Sequence, residues 1–301
     1  MLTNMDIQQI AVIGAGTMGN GIAHVCIQHG FQVTLVDISI VALEKAQQQI
    51  EKNMERQEKK GVLSSEQRAT ALQRLTLSTH LEEAVANCQL VIEAATENPT
   101  IKRQLFENID KAAPANCILA TNTSSISITS LAAATKRPGK VIGMHFMNPV
   151  PVMKLVEVIN AYQTEAAVTQ SIVELSKQLE KIPCVANDYP GFIANRILMP
   201  MLNEAIYCLQ EGVGTVDSID NIMKLGMGHP MGPLQLADFI GLDVCKSILD
   251  VMYAGFGQAK YAPCTLLVNM VMAGKLGIKS GEGFYDYSAG TDQKQVSIRF
   301  R

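Results

Sequence analysis

His145 and Glu157 are the residues of this chain whose types and setting could move a proton. His145 closes the apolar run Val141-Ile142-Gly143-Met144, and Glu157 sits inside a second one, Lys154-Leu155-Val156-Glu157-Val158-Ile159. An acid inside an apolar strand is expensive unless it is paired or changes its pKa. Between the runs, Asn148-Pro149-Val150-Pro151 excludes regular structure. A turn folding the second strand back beside the first would bring Glu157 to His145. The carboxylate would then fix the imidazole tautomer and favour its charged form, leaving the other ring nitrogen to exchange a proton with a substrate. The competing reading is a satisfied core histidine and a structural ion pair.

A second constellation weighs for chemistry. Ile10-Ala11-Val12-Ile13 runs straight into Gly14-Ala15-Gly16-Thr17-Met18-Gly19, and the next apolar run, Phe31 to Val36, ends on Asp37. In such a unit Gly14 permits the tight turn out of a strand and Gly16 lets backbone approach a pyrophosphate. Gly19 lets the following helix pack closely, with its N-terminus, Thr17 and Met18 included, facing the phosphates. Asp37 stands where an acid can hydrogen-bond a ribose 2′-hydroxyl and repel a 2′-phosphate, which points to NAD rather than NADP. Oxidising an alcohol with NAD needs a base for the hydroxyl proton, and His145 with Glu157 can supply it.

The elements that must position these residues can be read around them. The first half alternates apolar strands with helical stretches, the mark of an α/β fold with a parallel sheet and crossover helices. Further strands are expected at 75–77, 90–94, 117–121, 141–145 and 154–159. Residues 41–60 lack Gly and Pro and read as a long exposed helix ended by Gly61. Helical spacing returns between Thr164 and Lys181, with Val168, Ile172, Leu175 and Leu179 on one face. The character changes at Asn187-Asp188-Tyr189-Pro190-Gly191, where Asp188 is placed to cap the next helix. We therefore expect a dinucleotide-binding domain over 1–187 and a smaller, all-α domain over 188–301.

Composition restricts the function classes. With 301 residues, 48% of them hydrophobic, and a net charge of −3, the chain has an ample core and no basic field for nucleic acid or an anionic membrane. Its start, Met1-Leu2-Thr3-Asn4-Met5-Asp6, lacks the basic end and apolar core of a signal peptide, and no apolar run is long enough to span a bilayer. The seven cysteines (26, 88, 117, 184, 208, 245 and 264) never form a C-x-x-C pair. They read as buried reduced thiols with no metal site, which fits a cytoplasmic enzyme.

Over nearly its whole length the sequence resembles the short-chain (S)-3-hydroxyacyl-CoA dehydrogenases, bacterial 3-hydroxybutyryl-CoA dehydrogenases among them. The resemblance rests on Gly14 to Ala23, Thr121-Asn122-Thr123-Ser124-Ser125, the His145 to Glu157 block, Pro190 to Arg196, and Gly281-Glu282-Gly283-Phe284-Tyr285. It implies a Rossmann-type domain, NAD as cofactor, an acyl-CoA substrate and a homodimer. It makes His145 the general acid/base and Glu157 its charge partner, with Ser124 and Asn195 by the substrate oxygen and Ser124 also near the nicotinamide. Asp37, Glu97, Lys102, Asn148 and Lys279 match NAD-contacting positions, and Asn53 and Lys60 match coenzyme A contacts.

Each carry-over has a plainer competitor. Ser124 can bond its own turn, Asn195 can be a surface helix residue, and Glu97 and Lys102 can be solvated helix charges. Lys279 can serve a Gly-flanked turn. Lys45, Lys52, Lys59 and Lys60 can meet coenzyme A phosphates or balance Glu51, Glu55 and Glu58. Two other functions stay open, a sugar-acid dehydrogenase of the L-gulonate type and a non-catalytic NAD-binding protein. Val150-Pro151-Val152-Met153 favours the acyl-CoA branch over the first, and the intact Ser124, His145, Glu157 and Asn195 set argues against the second.

Overall fold

The computed structural model describes residues 7–301; the start read above for a leader, residues 1–6, lies outside them. The described chain forms two compact units, one ending at Tyr189 and one over Pro190–Arg301.

The first unit opens with β1 (Gln9–Ile13), α1 (Thr17–Gln28), β2 (Gln32–Val36) and α2 (Ile40–Lys59). It continues through α3 (Ser65–Leu72), β3 (Leu75–Ser78), α4 (Leu81–Val85), β4 (Leu90–Glu93), α5 (Pro99–Ala112) and β5 (Ile118–Thr121). It closes with α6 (Ile128–Ala132), β6 (Val141–Phe146), β7 (Leu155–Asn160), α7 (Ala166–Gln178) and β8 (Ile182–Asn187). The sheet runs β3-β2-β1-β4-β5-β6-β7-β8, and only the β6–β7 pairing is antiparallel. The central strands β4, β5 and β6 are buried at every position, as a parallel sheet covered by helices on both faces requires. Strand order reverses between β1 and β4, and ligands of open α/β sheets bind outside the strand carboxyl ends at such a point.

Local chemistry sets the helix ends. Ser39 caps α2 through the Ala42 amide, and Leu43, Ala46, Ile50 and Met54 form its buried stripe. Asn98 caps α5 by accepting from the Thr100 and Ile101 amides, with Pro99 at the first helical position.

The second unit holds α8 (Ala194–Gln210), α9 (Val216–Asn221), α10 (Pro233–Ile240), α11 (Leu242–Phe256) and α12 (Thr265–Met272). Met199, Leu202, Ile206, Leu234, Leu249, Met252, Leu267 and Phe284 fill its core. A two-residue ladder, β9 (Tyr285–Asp286) with β10 (Gln295–Val296), qualifies the all-α expectation. Two buried acids organise the unit. Asp238 accepts from the Phe284 and Tyr285 amides and the Tyr287 hydroxyl, and Asp220 accepts from the Leu234 and Gln235 amides and the Tyr285 hydroxyl. A Cβ at Gly283 would fall 1.9 Å from Asp238 Oδ1, so the Gly281 to Tyr285 motif fits by lacking one there. No helix among the described residues is long and apolar enough to cross a membrane.

Three local expectations are corrected. Asp188 does not cap the following helix: its Oδ2 accepts from Ser127 Oγ at 2.8 Å and the Thr129 amide at 2.7 Å, at the start of α6. The stretch 182–187 is an additional strand, β8, whose Pro183 is tolerated because the strand lies at the sheet edge. Cys184, on that edge, is exposed rather than buried.

Candidate active site

Three strand ends build a cradle for a dinucleotide. After β1, Gly14 takes φ +103°, its amide donates to Val36 O at 2.7 Å, and a Cβ there would lie 2.7 Å from Ala94 O. A Cβ at Gly19 would fall 1.7 Å from Gly14 O, so α1 comes as close to the loop as bare backbone allows. At Gly16 the space is open, with nothing within 4 Å of a built Cβ. Gly16 is the N-cap of α1, and no side chain among the described residues caps that first turn, where Thr17 and Met18 lie. Its amides and the positive end of the helix dipole suit a pyrophosphate. After β2, Asp37 Oδ2 accepts from the Ala15 amide at 2.8 Å and Oδ1 from the Ser39 amide at 3.0 Å. That fixes an acid beside the loop. Ile38, next to it, is 98% exposed.

His145 and Glu157 meet as the strand pairing demands. They are register partners on antiparallel β6 and β7, and His145 Nδ1 lies 3.0 Å from Glu157 Oε2. Both are buried, at 9% and 2% exposure. Because a carboxylate only accepts, Nδ1 carries the hydrogen and Nε2 remains for proton exchange. The connection between these strands is held from below by Lys181, whose ammonium donates to Val150 O at 2.6 Å and Met153 O at 2.8 Å. Burial lowers the Lys181 pKa. Sequence reasoning gave Lys181 no role, since a lysine that ends a helical stretch looks like any surface charge. Asn148 lies exposed on the same connection. Asn122 Oδ1 accepts from the Phe146 amide at 2.9 Å, tying the loop after β5 to the end of β6.

That β5 loop carries Ser124. Glu97 Oε1 accepts from Thr123 Oγ1 at 2.5 Å, the Ser124 amide at 2.9 Å and Ser124 Oγ at 3.2 Å. Burial alone would raise the Glu97 carboxyl, but Lys102 and the Thr123 and Ser124 donors outweigh it and hold its pKa below the ordinary value. Lys102 is not a solvated helix charge: it is 1% exposed, with its ammonium 2.7 and 2.8 Å from the oxygens of buried Glu93. The physical reason is its position on α5, which turns it under the loop after β4. Glu93, missed entirely, was legible as an acid at the end of an apolar strand.

The remaining candidates stand on other elements. Asn53 on α2 accepts from Gln49 Nε2 at 2.8 Å, and Lys60 is exposed at the end of that helix. Glu55 and Glu58 are engaged by Arg68 of α3, at 3.6 and 2.8 Å. Lys45, Lys52, Lys59 and Lys60 are all exposed along or just beyond this helix. Asn195 and Lys279 belong to the second unit. Asn195 is buried in the first turn of α8, and Lys279 pairs with Asp243 at 2.5 Å.

Comparison with known proteins agrees with this geometry. The family model described as 3-hydroxyacyl-CoA dehydrogenase, NAD binding domain, matches residues 9–189, and that family's C-terminal domain matches 191–287. The chain is 49% identical to a probable 3-hydroxybutyryl-CoA dehydrogenase of Bacillus subtilis, over 95% of this chain and all (100%) of that one. It is 51% identical to a 3-hydroxybutyryl-CoA dehydrogenase of Bradyrhizobium diazoefficiens, over 93% of this chain and 96% of the other. The crystal structure of (S)-3-hydroxybutyryl-CoA dehydrogenase from Ralstonia eutropha superposes with a TM-score of 0.92 at 47% identity, covering 94% and 100% of the two chains. A glycine cradle with its acid, a histidine–glutamate pair across two strands and both family domains in order place the chain in the 3-hydroxyacyl-CoA dehydrogenase family.

Proposed function

We propose that the chain interconverts (S)-3-hydroxybutyryl-CoA and acetoacetyl-CoA, with NAD as cofactor. The observation that carries the mechanism is the 3.0 Å contact between His145 Nδ1 and Glu157 Oε2. With Nδ1 engaged, Nε2 is the nitrogen that takes the 3-hydroxyl proton in oxidation and returns it in reduction. Glu157 stabilises the imidazolium so formed. Asn195 steadies the substrate oxygen, and Ser124 contacts the bound ligand beside the nicotinamide. Gly14, Gly16, Thr17, Met18, Gly19 and Asp37 would hold NAD, with Glu97, Asn148 and Lys279 as further contacts. When bound, NAD supplies the acceptor for the hydride that leaves C3 of the substrate.

Lys60, with Asn53 and the other α2 lysines, meets the phosphates of coenzyme A, a reading supported by the engagement of Glu55 and Glu58 elsewhere. The chain works as a homodimer. Exposed apolar side chains on the second unit, Ile222, Leu225 and Met227, support this, and a solution mass of one chain would count against it. Seven unbridged cysteines suit the cytoplasm. The test of the reaction is a substrate panel: (S)-3-hydroxybutyryl-CoA, free 3-hydroxybutyrate and L-gulonate, each with NAD and with NADP. Turnover confined to the CoA ester with NAD is expected. Comparable turnover of L-gulonate would replace the thioester reading.

A further inference from the structure

Two acids flank the turn after β4, and the mechanism above gives Glu93 no part. Glu93 is fully buried (0% exposed), and its pair with Lys102 is bidentate. Its oxygens also accept from the Ala95 amide and from Thr121 Oγ1, each at 2.7 Å. Glu93 and Thr121 are register partners on neighbouring strands, so one carboxylate ties together the loops that follow β4 and β5. Two apolar side chains could fill the same space, since a buried ion pair is often no more stabilising than that. The pair therefore needs a reason other than packing.

The reason lies one step outward. The Lys102 ammonium also reaches Glu97 Oε2, at 3.4 Å, while Glu97 Oε1 receives Thr123, Ser124 N and Ser124 Oγ. A carboxylate cannot donate. The Ser124 hydroxyl proton is thus directed to Glu97, and Oγ has only lone pairs to offer another partner. We propose that Glu93 and Lys102 are positioning residues, anchoring Glu97 so that it presents Ser124 Oγ to the ligand as a hydrogen-bond acceptor. This rests on the reading of Ser124 as a ligand contact. It adds that the ligand group Ser124 meets is an N–H or O–H donor, and that Lys102 acts from behind Glu97 without touching the cofactor.

The test is a double-mutant cycle on the full chain between Glu97→Gln and Ser124→Ala, read on kcat with acetoacetyl-CoA and NADH. A Gln amide at position 97 can donate to Ser124 and turn its hydroxyl round. Glu97→Gln should cost roughly 10- to 100-fold in the parent, yet no more than about twofold once Ser124 is alanine. Costs that multiply would overturn the proposal. Glu93→Gln/Lys102→Met separates positioning from folding, because it removes both charges of the fully buried pair together. It should melt close to the parent and still lose about tenfold or more in kcat, whereas parental kcat would make the pair merely structural. Parental turnover is measured first and tests the proposed reaction by itself. If the parent turns nothing over, the same cycle is read on the NADH dissociation constant, where coupling supports the positioning role and additivity refutes it.

Discussion

At the scale of single residues, the chemistry rests on which ring nitrogen of His145 faces Glu157. Glu157 Oε2 engages Nδ1 at 3.0 Å, and that contact selects the tautomer with Nε2 available. Glu157→Gln keeps the size and offers an amide that can turn its NH2 toward the ring, favouring the wrong tautomer. We expect kcat to fall by roughly 10²–10⁴-fold, as when a histidine loses its orienting acid, with NADH affinity retained. Steady-state kinetics with acetoacetyl-CoA and a fluorescence titration with NADH check both halves, and a parental kcat would reduce Glu157 to packing. Both residues were legible in the sequence because an acid and a histidine at two apolar strands call for a partner. Glu93 and Lys181 were not used, since their partners are a lysine nine residues on, in the following helix, and backbone carbonyls that no residue type announces.

At the scale of elements, the glycine loop separates fold from function within a few residues. A Cβ at Gly19 meets Gly14 O at 1.7 Å, whereas one at Gly16 meets nothing within 4 Å. Gly19→Ala should therefore destabilise the first unit by about 1–3 kcal/mol or more, the range for overfilled packing. Gly16→Ala should leave the melting temperature near parental and weaken NADH binding, since its methyl group enters the space a pyrophosphate would approach. Equal melting temperatures for the two variants would contradict the assignment. Most of the sheet was readable from apolar runs bounded by Gly, Asn and Asp. β8 was not, because Pro183 breaks the local signal and only its edge position makes the strand possible. Asp188 misled for a related reason: it stands before one helix in the sequence and serves another in space.

At the scale of the whole molecule, each of the two units has its own core and its own buried polar anchor. In the second unit, burial pushes the Asp238 carboxyl up to about 7, even though two amides and the Tyr287 hydroxyl donate to it. Unfolded, that carboxyl would release its proton near pH ~4. Between these values the folded state holds more protons than the unfolded one, so this group's contribution to stability falls as pH rises through the window. Asp238→Asn removes the titration, and the parent's lead in melting temperature over it should widen as pH is lowered from about 7 to about 5. A constant difference would show that Asp238 does not titrate there. The motif Gly281 to Tyr285 was recognisable in sequence, but its partner acid was not, because Asp238 meets it only through the fold. His145 moves the substrate proton, and NAD binding does not depend on it. The most direct measurement is NADH oxidation by acetoacetyl-CoA in His145→Gln beside the parent, with NADH affinity determined for both. We predict a loss of about 10²–10⁴-fold in kcat at unchanged NADH affinity. A near-parental kcat in the variant would contradict the mechanism.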